Sequence, residues 1–455
     1  MLDYLVIAAY LGGLLIYGVV CGGSIRSVKQ FAVAEQGYGT FVVFATLSAS
    51  FIGGGFSMGN AAKAYAAGIG YAVALCGFSL KEIFVGGYVA PRMGRFRSCI
   101  SPGQIMGKVY GHNAQVVTGL LSLITCAGVV GAQVGAIGHV FKVFLGLPQL
   151  WGVLISCGIV ILYCTMGGIK AVVTADVVQF MILSIGMPLA LGLALSRAGG
   201  WDAVAAGLPA EYWDITHGTT LIGFVSLFAS FMLGEALAPP YIQRLLIGRR
   251  THTAARAAMI GGVFSVAFFA VSAGIGLTAR VLYPGLYPSL AMPTLIQRVL
   301  PLGLRGFVIA GVISIVMSTA DSFLNAAAVG AVRDVWLPLA GRCIGEAEQL
   351  KAARTVNLLT GVAAVFFALL VPDILDLLLF TYRFWAPVIL IPLVAALMGK
   401  RVNKESFGAA ALAGACGMVL WSYGLSEPWG ISGLPVGVAV NGLVFWLANR
   451  LSGTR

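Results

Sequence analysis

Phe51-Ile52-Gly53-Gly54-Gly55-Phe56 interrupts a stretch, residues 41–65, that is otherwise apolar enough to cross a bilayer. Glycine loses more backbone freedom than any other residue when it enters a helix, so three in succession are expected to break or unwind it. A second interruption falls in residues 219–240, where Gly234 is followed by Ala238-Pro239-Pro240 and each proline removes a backbone donor. Unwound backbone exposes amides and carbonyls that lipid cannot satisfy, and it persists at membrane depth only beside protein or a water-filled cavity. The two breaks therefore point to a binding site near the membrane midplane. The other reading is that the glycines allow close helix packing and the prolines kink a helix.

Composition sets the same frame. Of the 455 residues 59% are hydrophobic and 10% charged, against about 25% charged in a soluble domain. A spanning helix needs about 20 mostly apolar residues, and thirteen segments offer them: 2–23, 41–65, 68–90, 113–142, 149–166, 174–196, 219–240, 256–280, 304–332, 355–379, 384–399, 407–424 and 431–449. The expected fold class is an all-α integral membrane protein. The interrupted segments are the second and the seventh, five apart, as in an inverted repeat whose halves each open with a discontinuous helix. The first segment begins with Asp3 and has no small-residue cleavage site before Ser24, so it reads as a retained helix.

The net charge of +12 does not indicate a nucleic-acid partner, because the basic residues fall in short alternating loops. With the N-terminus outside, the inner loops and tail take most of the 28 Lys and Arg, among them Arg26, Arg244, Arg249, Arg250, Arg342, Arg401 and Arg455. Only Lys63, Lys81, Lys142, Arg197, Arg280, Arg298, Arg305 and Arg383 fall outside or within spans, so the positive-inside rule gives N-out, C-in. Cys21, Cys76, Cys99, Cys126, Cys157, Cys164, Cys343 and Cys416 stand singly, without metal-ligand spacing, and read as packing residues. The sequence carries no nucleotide-binding motif and no nucleophile with a base at helical spacing. Transport, rather than an enzyme activity or an ATP-driven pump, is expected.

Acids within a membrane are costly and mark function. Four fall there: Glu82, Asp176, Glu235 and Asp321. In Ile315-Val316-Met317-Ser318-Thr319-Ala320-Asp321-Ser322, helical spacing places Ser318, Asp321 and Ser322 on one face with Thr319 beside Ser322. Hydroxyls together with carbonyls freed by an unwound helix can replace the hydration shell of a small hard cation, and sodium fits that chemistry. The alternative is that these hydroxyls bond back to carbonyls of their own helix, which leaves Asp321 unexplained. Lys81 and Glu82 are sequence neighbours and are not expected to face each other; snorkelling or a structural pair is the reading. Phe56, Phe228, Phe231, Tyr382 and Trp385 are either cavity walls and gates or plain packing.

Three motifs carry a resemblance. Gly167-Gly168-Ile169-Lys170-Ala171-Val172-Val173-Thr174-Ala175-Asp176-Val177-Val178-Gln179 is similar to the signature of the sodium:solute symporters, with Ala175 where Thr is usual. Met317-Ser318-Thr319 with Asp321 and Ser322 resembles the family's eighth core helix, and Pro240-Tyr241-Ile242-Gln243-Arg244 the end of its sixth. Members include bacterial proline, pantothenate, sugar and sialic acid transporters and the animal sodium/glucose carriers. The resemblance covers nearly the whole chain.

It implies a single transmembrane domain with a five-plus-five inverted-repeat (LeuT-like) core at 41–400, preceded by a leading helix and loop at 1–40 and followed by two trailing helices and a tail at 401–455. It implies sodium as the coupling ion, held by the backbone carbonyls of Ala49, Ile52 and Ile315 and the hydroxyls of Ser318 and Thr319. Asp176, Asp321 and Ser322 become candidates for a second sodium or an ion path. Some members carry a hydroxyl where Asp321 stands, so the carboxylate either ligates an ion, bonds to a helix or makes an ion redundant.

The substrate residues implied are Glu235, Phe56, Gln133, Gly54 and Trp385, with Glu235 either pairing with a substrate ammonium or making a structural hydrogen bond. Phe56 and Leu75 stand where sugar carriers have Gln and Glu, and residues 113–142 lack the internal Arg expected of a sialic acid carrier. The expected protein is a sodium-coupled importer of a small organic solute bearing an amine or carboxylate, working by alternating access. It is expected in a bacterial-type inner membrane with the monomer as functional unit. The alternatives are a membrane-embedded solute sensor and a proton-coupled carrier.

Overall fold

The computed structural model describes residues 2–22, 27–33, 36–341, 344–371, 373–400 and 402–451. Arg26, Arg342, Arg401, Arg455 and Cys343 lie outside them, as does the side chain of Cys21. The described residues form helices joined by turns and loops, with one isolated bridge between Tyr38 and Gly248.

In chain order the principal helices are α1 (Leu2–Gly22), α2 (Thr40–Phe51), α3 (Gly55–Ala67), α4 (Gly70–Phe96), α5 (His112–Leu145), α6 (Gln149–Leu162) and α7 (Gly167–Ala198). Then come α8 (Leu221–Leu233), α9 (Pro239–Ile247), α10 (Thr251–Leu282), α11 (Leu304–Ala340), α12 (Glu346–Leu370), α13 (Ile374–Tyr382), α14 (Ala386–Met398), α15 (Ser406–Gly424) and α16 (Gly433–Leu451). Among the described residues eight helices are long and apolar enough to cross a membrane, or ten when the bent pairs α2–α3 and α13–α14 each count as one span. The expected count of thirteen is not established by these criteria, because α1, α6 and α8 offer only shorter apolar stretches.

Both expected breaks are present. Helix α2 ends at Phe51, Ile52 leaves the helical region (φ −85, ψ 59), and α3 sets off at 63° to α2. After α8, residues 234–238 turn through Leu237, whose φ of 54 is unusual for a residue with a side chain. Pro239 and Pro240 then open α9, where a missing N–H costs nothing.

Three boundaries correct the sequence reading. The seventh segment does not stop at 240, because α9 continues it to Ile247 with all nine residues buried. The tenth ends at Leu370 rather than 379: Val371 is extended, and Asp373 caps α13 by accepting from the Asp376 amide at 3.0 Å. The eleventh accordingly starts at Ile374 and bends by 58° across Arg383–Trp385. The signature pair Gly167-Gly168 makes the turn from α6 into α7, with Gly168 at φ 54, a conformation that favours glycine.

Helix α11 is the axis of the molecule. Every residue from Val308 to Gly330 is buried, packed against α5, α7, α12, α1 and α2. Its first turn is held from outside the helix. Asp3 of α1 accepts from the amides of Gly303 and Gly306 (2.8 and 3.0 Å) and pairs with Arg305, whose Nε lies 2.7 Å away. The rim is apolar, with Leu5, Ile16, Val178, Ile185, Val263, Phe366, Leu370 and Leu412 turned outward, as the lipid-facing side of a membrane protein requires.

Candidate functional site

The break after α2 brings backbone and hydroxyl oxygens together on the flank of α11. Ser318 Oγ donates to the Ala49 carbonyl at 2.6 Å and lies 3.3 Å from that of Ile315. Thr319 Oγ1 lies 3.3 Å from the Ile315 carbonyl and 3.5 Å from that of Ala49. Ala49, Ile315, Ser318 and Thr319 thus form one oxygen cluster, and Ile52 sits buried at the break itself. The close approach depends on glycine. A Cβ on Gly53 would overlap Thr319 Oγ1 and come within 2.7 Å of Gln133 Oε1.

A second cluster begins one turn further along α11. Asp176 of α7 accepts from Thr46 and, at 3.3 Å, from Ser50, both on α2. Ser50 Oγ lies 2.9 Å from Ser322 Oγ, which donates to the Ser318 carbonyl at 2.7 Å and so touches the first cluster. Between Asp176 and Ser322 stands Arg244, the one residue here that sequence reasoning misplaced. Assigned to an inner loop, it is fully buried on α9, with Nη2 3.5 Å from Asp176 Oδ2 and donating to Ser322. The missed signal was the apolar run Leu245-Leu246-Ile247, which extends the helix past the arginine. Asp321 is equally buried, and its Oδ1 lies 3.3 Å from the Ser322 hydroxyl. Cys164 Sγ lies 3.2 Å from the Asp321 carbonyl.

The remaining candidates surround a small cavity between the broken helices. Phe51, Gly53, Gly55, Phe56, Val129, Gln133, Glu235, Thr319, Leu378 and Tyr382 line it, and its volume is about 10 Å³, room for one water at most. Of the five expected substrate residues, Phe56, Gln133 and Glu235 are on the wall. Gly54 faces away, donating its N–H to Gln133 Oε1 at 2.7 Å and abutting Ala136. Trp385 lies behind, its Nε1 donating to the Ala236 carbonyl at 3.1 Å. Tyr382 hydrogen-bonds to the Glu235 carboxylate, whose buried Oε2 has no hydrogen-bond partner among the described residues. Phe56 packs edge to face on Phe78, Phe231 and Phe269.

Lys81 and Glu82 do face each other, contrary to expectation. The Lys81 chain folds back so that Nζ lies 2.6 Å from Glu82 Oε1 and 3.9 and 4.7 Å from the ring centroids of Phe78 and Tyr241. Tyr241 donates to Glu82 Oε2 at 2.5 Å. A buried ammonium needs both a carboxylate and aromatic faces. Neither can be supplied by solvent here, which overrides the neighbour rule for exposed helices.

One turn along α8 from the small cavity, a larger space of about 350 Å³ is lined by Tyr71, Thr219, Ser226, Ser230, Leu379, Arg383 and Glu427. Arg383 and Glu427 pair across it at 2.8 Å.

Residues 31–417 match the family model described as Sodium:solute symporter family. The chain belongs to this family. Among its relatives, a high-affinity proline transporter of Bacillus subtilis (strain 168) is 25% identical over 91% of both chains. A high-affinity choline transporter of Drosophila melanogaster is 26% identical over 77% of this chain, which spans 59% of the fly protein. The fold is that of a Na+-coupled sialic acid symporter in a substrate-bound outward-open state, at TM-score 0.83 with 16% identity, covering 99% of this chain and 97% of the other. A nucleobase-cation-symport-1 family transporter in a closed conformation matches at TM-score 0.60 with 14% identity over 92% and 94%. The symporter family and its LeuT-like neighbours agree with the broken helices.

Proposed function

We propose that this symporter uses the sodium gradient to import a small organic solute bearing an ammonium group. The observation that carries the reading is the meeting of Ser318 and Thr319 with the carbonyls of Ala49 and Ile315 at the break of α2, next to a cavity walled by Glu235. Sodium is the coupling ion, held by Ala49, Ile52, Ile315, Ser318 and Thr319. Asp176, Asp321 and Ser322 bear on a further ion or an ion path. Among the relatives, proline and choline both carry a cationic nitrogen. Glu235 supplies the opposite charge, and Phe56 with its aromatic neighbours supplies apolar contact for the carbon skeleton.

The mechanism follows from what each partner orders. Sodium draws the end of α2 onto α11, which fixes Gly53 and Gln133 in the solute wall, so that ion and solute share a favourable coupling free energy. In the conformation described, the small cavity is too small for a solute and the larger space lies to one side of it. Solute entry requires α3 and α13 to move apart at Gly55 and Leu378. Release on the far side requires α9 to leave Asp176 and Ser322. The inward sodium gradient and the membrane potential drive this alternation. The reading places the larger space outside and α9 inside, in an inner membrane with N-out, C-in topology. The functional unit is a monomer built as leading helix 1–40, core 41–400 and trailing helices 401–455.

The test is thermal stabilisation of the purified protein by proline, choline and other small amines, in sodium and in potassium at equal ionic strength. Stabilisation by an amine only in sodium supports the proposal. Stabilisation indifferent to sodium but dependent on pH identifies a proton-coupled carrier, and stabilisation without uptake into proteoliposomes a sensor.

A further inference from the structure

Between Glu82 and Asp176, and again between Glu235 and Asp321, the sequence has no Asp or Glu. The basic residues that these two stretches place on the inner face of the proposed topology therefore have no acid in their own loops. Elsewhere on that face acids are interspersed. Arg333 pairs with Glu346 at 3.6 Å, Glu346 and Glu348 open the helix that carries Lys351 and Arg354, and Lys404 precedes Glu405.

Packing joins the two acid-free loops into one patch. Arg97, just past the end of α4, donates from Nη1 and Nη2 to the carbonyls of Arg249 and Gly248 at 2.9 and 3.0 Å. The Arg249 amide donates to the Tyr38 carbonyl at 3.0 Å, close to the start of α2. Arg92, Arg95, Arg249, Arg250 and Arg256 are exposed around this junction. The last three flank the start of α10, where the first helix amides and the helix dipole also favour an anion.

An apolar groove begins where the patch ends. Arg256, Ile260 and Val263 follow one another along one face of α10. Met259, Ile260 and Val263 are exposed, and with Phe44 of α2 and Phe264 they line a space of about 430 Å³ that has no polar side chain. Its floor is aromatic, Phe44 packing edge to face on Phe264 and on Phe180 of α7. Hydrocarbon suits such a groove and ordered water does not. A phosphate suits the arginines, whose planar forks match its oxygens. A zwitterionic lipid would bring a cationic headgroup nitrogen to a patch whose own loops supply no carboxylate, so a headgroup of net negative charge is preferred.

We propose that this patch and groove form a site for one anionic glycerophospholipid. Its phosphate lies on Arg249, Arg250 and Arg256, and an acyl chain runs along Ile260 and Val263 against Phe44. Arg97 braces the two loops through backbone carbonyls instead of holding the phosphate. The site is independent of the sodium and solute assignments.

Thermal unfolding of the purified full-length protein in a neutral detergent, titrated with phosphatidylglycerol or with phosphatidylcholine of the same acyl chains, tests this. Phosphatidylglycerol is expected to stabilise the wild-type chain at a concentration at least about tenfold lower. Arg249→Gln/Arg250→Gln/Arg256→Gln is expected to abolish that preference. Lys351→Gln/Arg354→Gln/Lys404→Gln removes as many charges from outside the patch and is expected to keep it. All six side chains are exposed, so both variants are expected to fold. Should the arginine variant fail to fold, Arg256→Gln alone decides, with phosphatidylglycerol binding expected to weaken about fivefold. Glycerol 3-phosphate, which carries the phosphate without the chains, is expected to give no stabilisation. No stabilisation by phosphatidylglycerol, or equal stabilisation by the two lipids, would overturn the proposal. So would a preference that survives the arginine substitutions, an equal loss in both variants, which marks diffuse attraction, or stabilisation by glycerol 3-phosphate, which marks a site for free phosphate.

Discussion

Gly53 lies against Thr319 so closely that any side chain at position 53 would occupy the space of the Thr319 hydroxyl. The break in α2 and the hydroxyl pair on α11 are therefore one device. The break turns the chain toward α11, and the missing side chain lets the two helices meet at hydrogen-bond distance.

Gly53→Ala forces Thr319 and Gln133 to give way at a cost of about 1–3 kcal/mol. Sodium affinity, read as the sodium concentration that half-stabilises the purified protein, is expected to weaken by about tenfold. The loss should appear without solute. Unchanged sodium affinity would separate the glycine from the ion site.

Glu235→Gln keeps the volume of the cavity wall and removes its charge. Stabilisation by ammonium-bearing solutes is expected to be lost, while stabilisation by sodium alone stays within about twofold, because Glu235 touches none of the sodium oxygens. Equal binding of an amine by wild type and Glu235→Gln would return the carboxylate to a structural role.

The buried trio Lys81, Glu82 and Tyr241 predicts an ordered series in thermal unfolding. Glu82→Gln strands the Lys81 ammonium and is expected to cost about 3–5 kcal/mol. Tyr241→Phe removes one hydrogen bond to a charged group and is expected to cost about 1.5–3 kcal/mol. Lys81→Met with Glu82→Leu removes both charges and is expected to recover most of the loss. A double variant as unstable as Glu82→Gln would mean the pair is needed for more than mutual neutralisation.

The breaks at Gly53-Gly54-Gly55 and before Pro239 were legible because backbone chemistry is local: glycine and proline disrupt a helix whatever surrounds them. The hydroxyl stripe on α11 was legible for the same reason, since helical spacing alone aligns Ser318 and Ser322. Arg244 was not. A basic residue after two prolines matches the pattern of an inner loop, and the apolar run Leu245-Leu246-Ile247 that carries the helix past it is too short to read as a span. The Lys81–Glu82 contact escaped too, because the spacing rule for helix neighbours describes exposed side chains free to point outward, and these two are buried, with the Lys81 ammonium turned onto Glu82 and three aromatic rings. Trp385 reads in the sequence as a cavity wall or as plain packing, and the bend across Arg383–Trp385, which no glycine announces, carries it behind the wall.

Asp3 offers a control outside the site. It satisfies two amides at the start of α11 and pairs with Arg305. Asp3→Ala is expected to cost about 1–2 kcal/mol in stability and lower the unfolding temperature, with sodium affinity unchanged. A parallel loss of sodium affinity would mean that the first turn of α11 sets the position of Ser318 and Thr319 some four turns away.

The central claim is that sodium binds where α2 breaks against α11. The most direct measurement is the sodium concentration dependence of thermal stability for wild type, Ser318→Ala and Thr319→Ala, each against potassium. Each loss of a hydroxyl ligand is expected to raise the half-stabilising sodium concentration by at least about tenfold, equivalent to about 1.4 kcal/mol, with stability in potassium nearly unchanged. Sodium curves that superimpose for all three proteins would contradict the assignment and place the ion elsewhere.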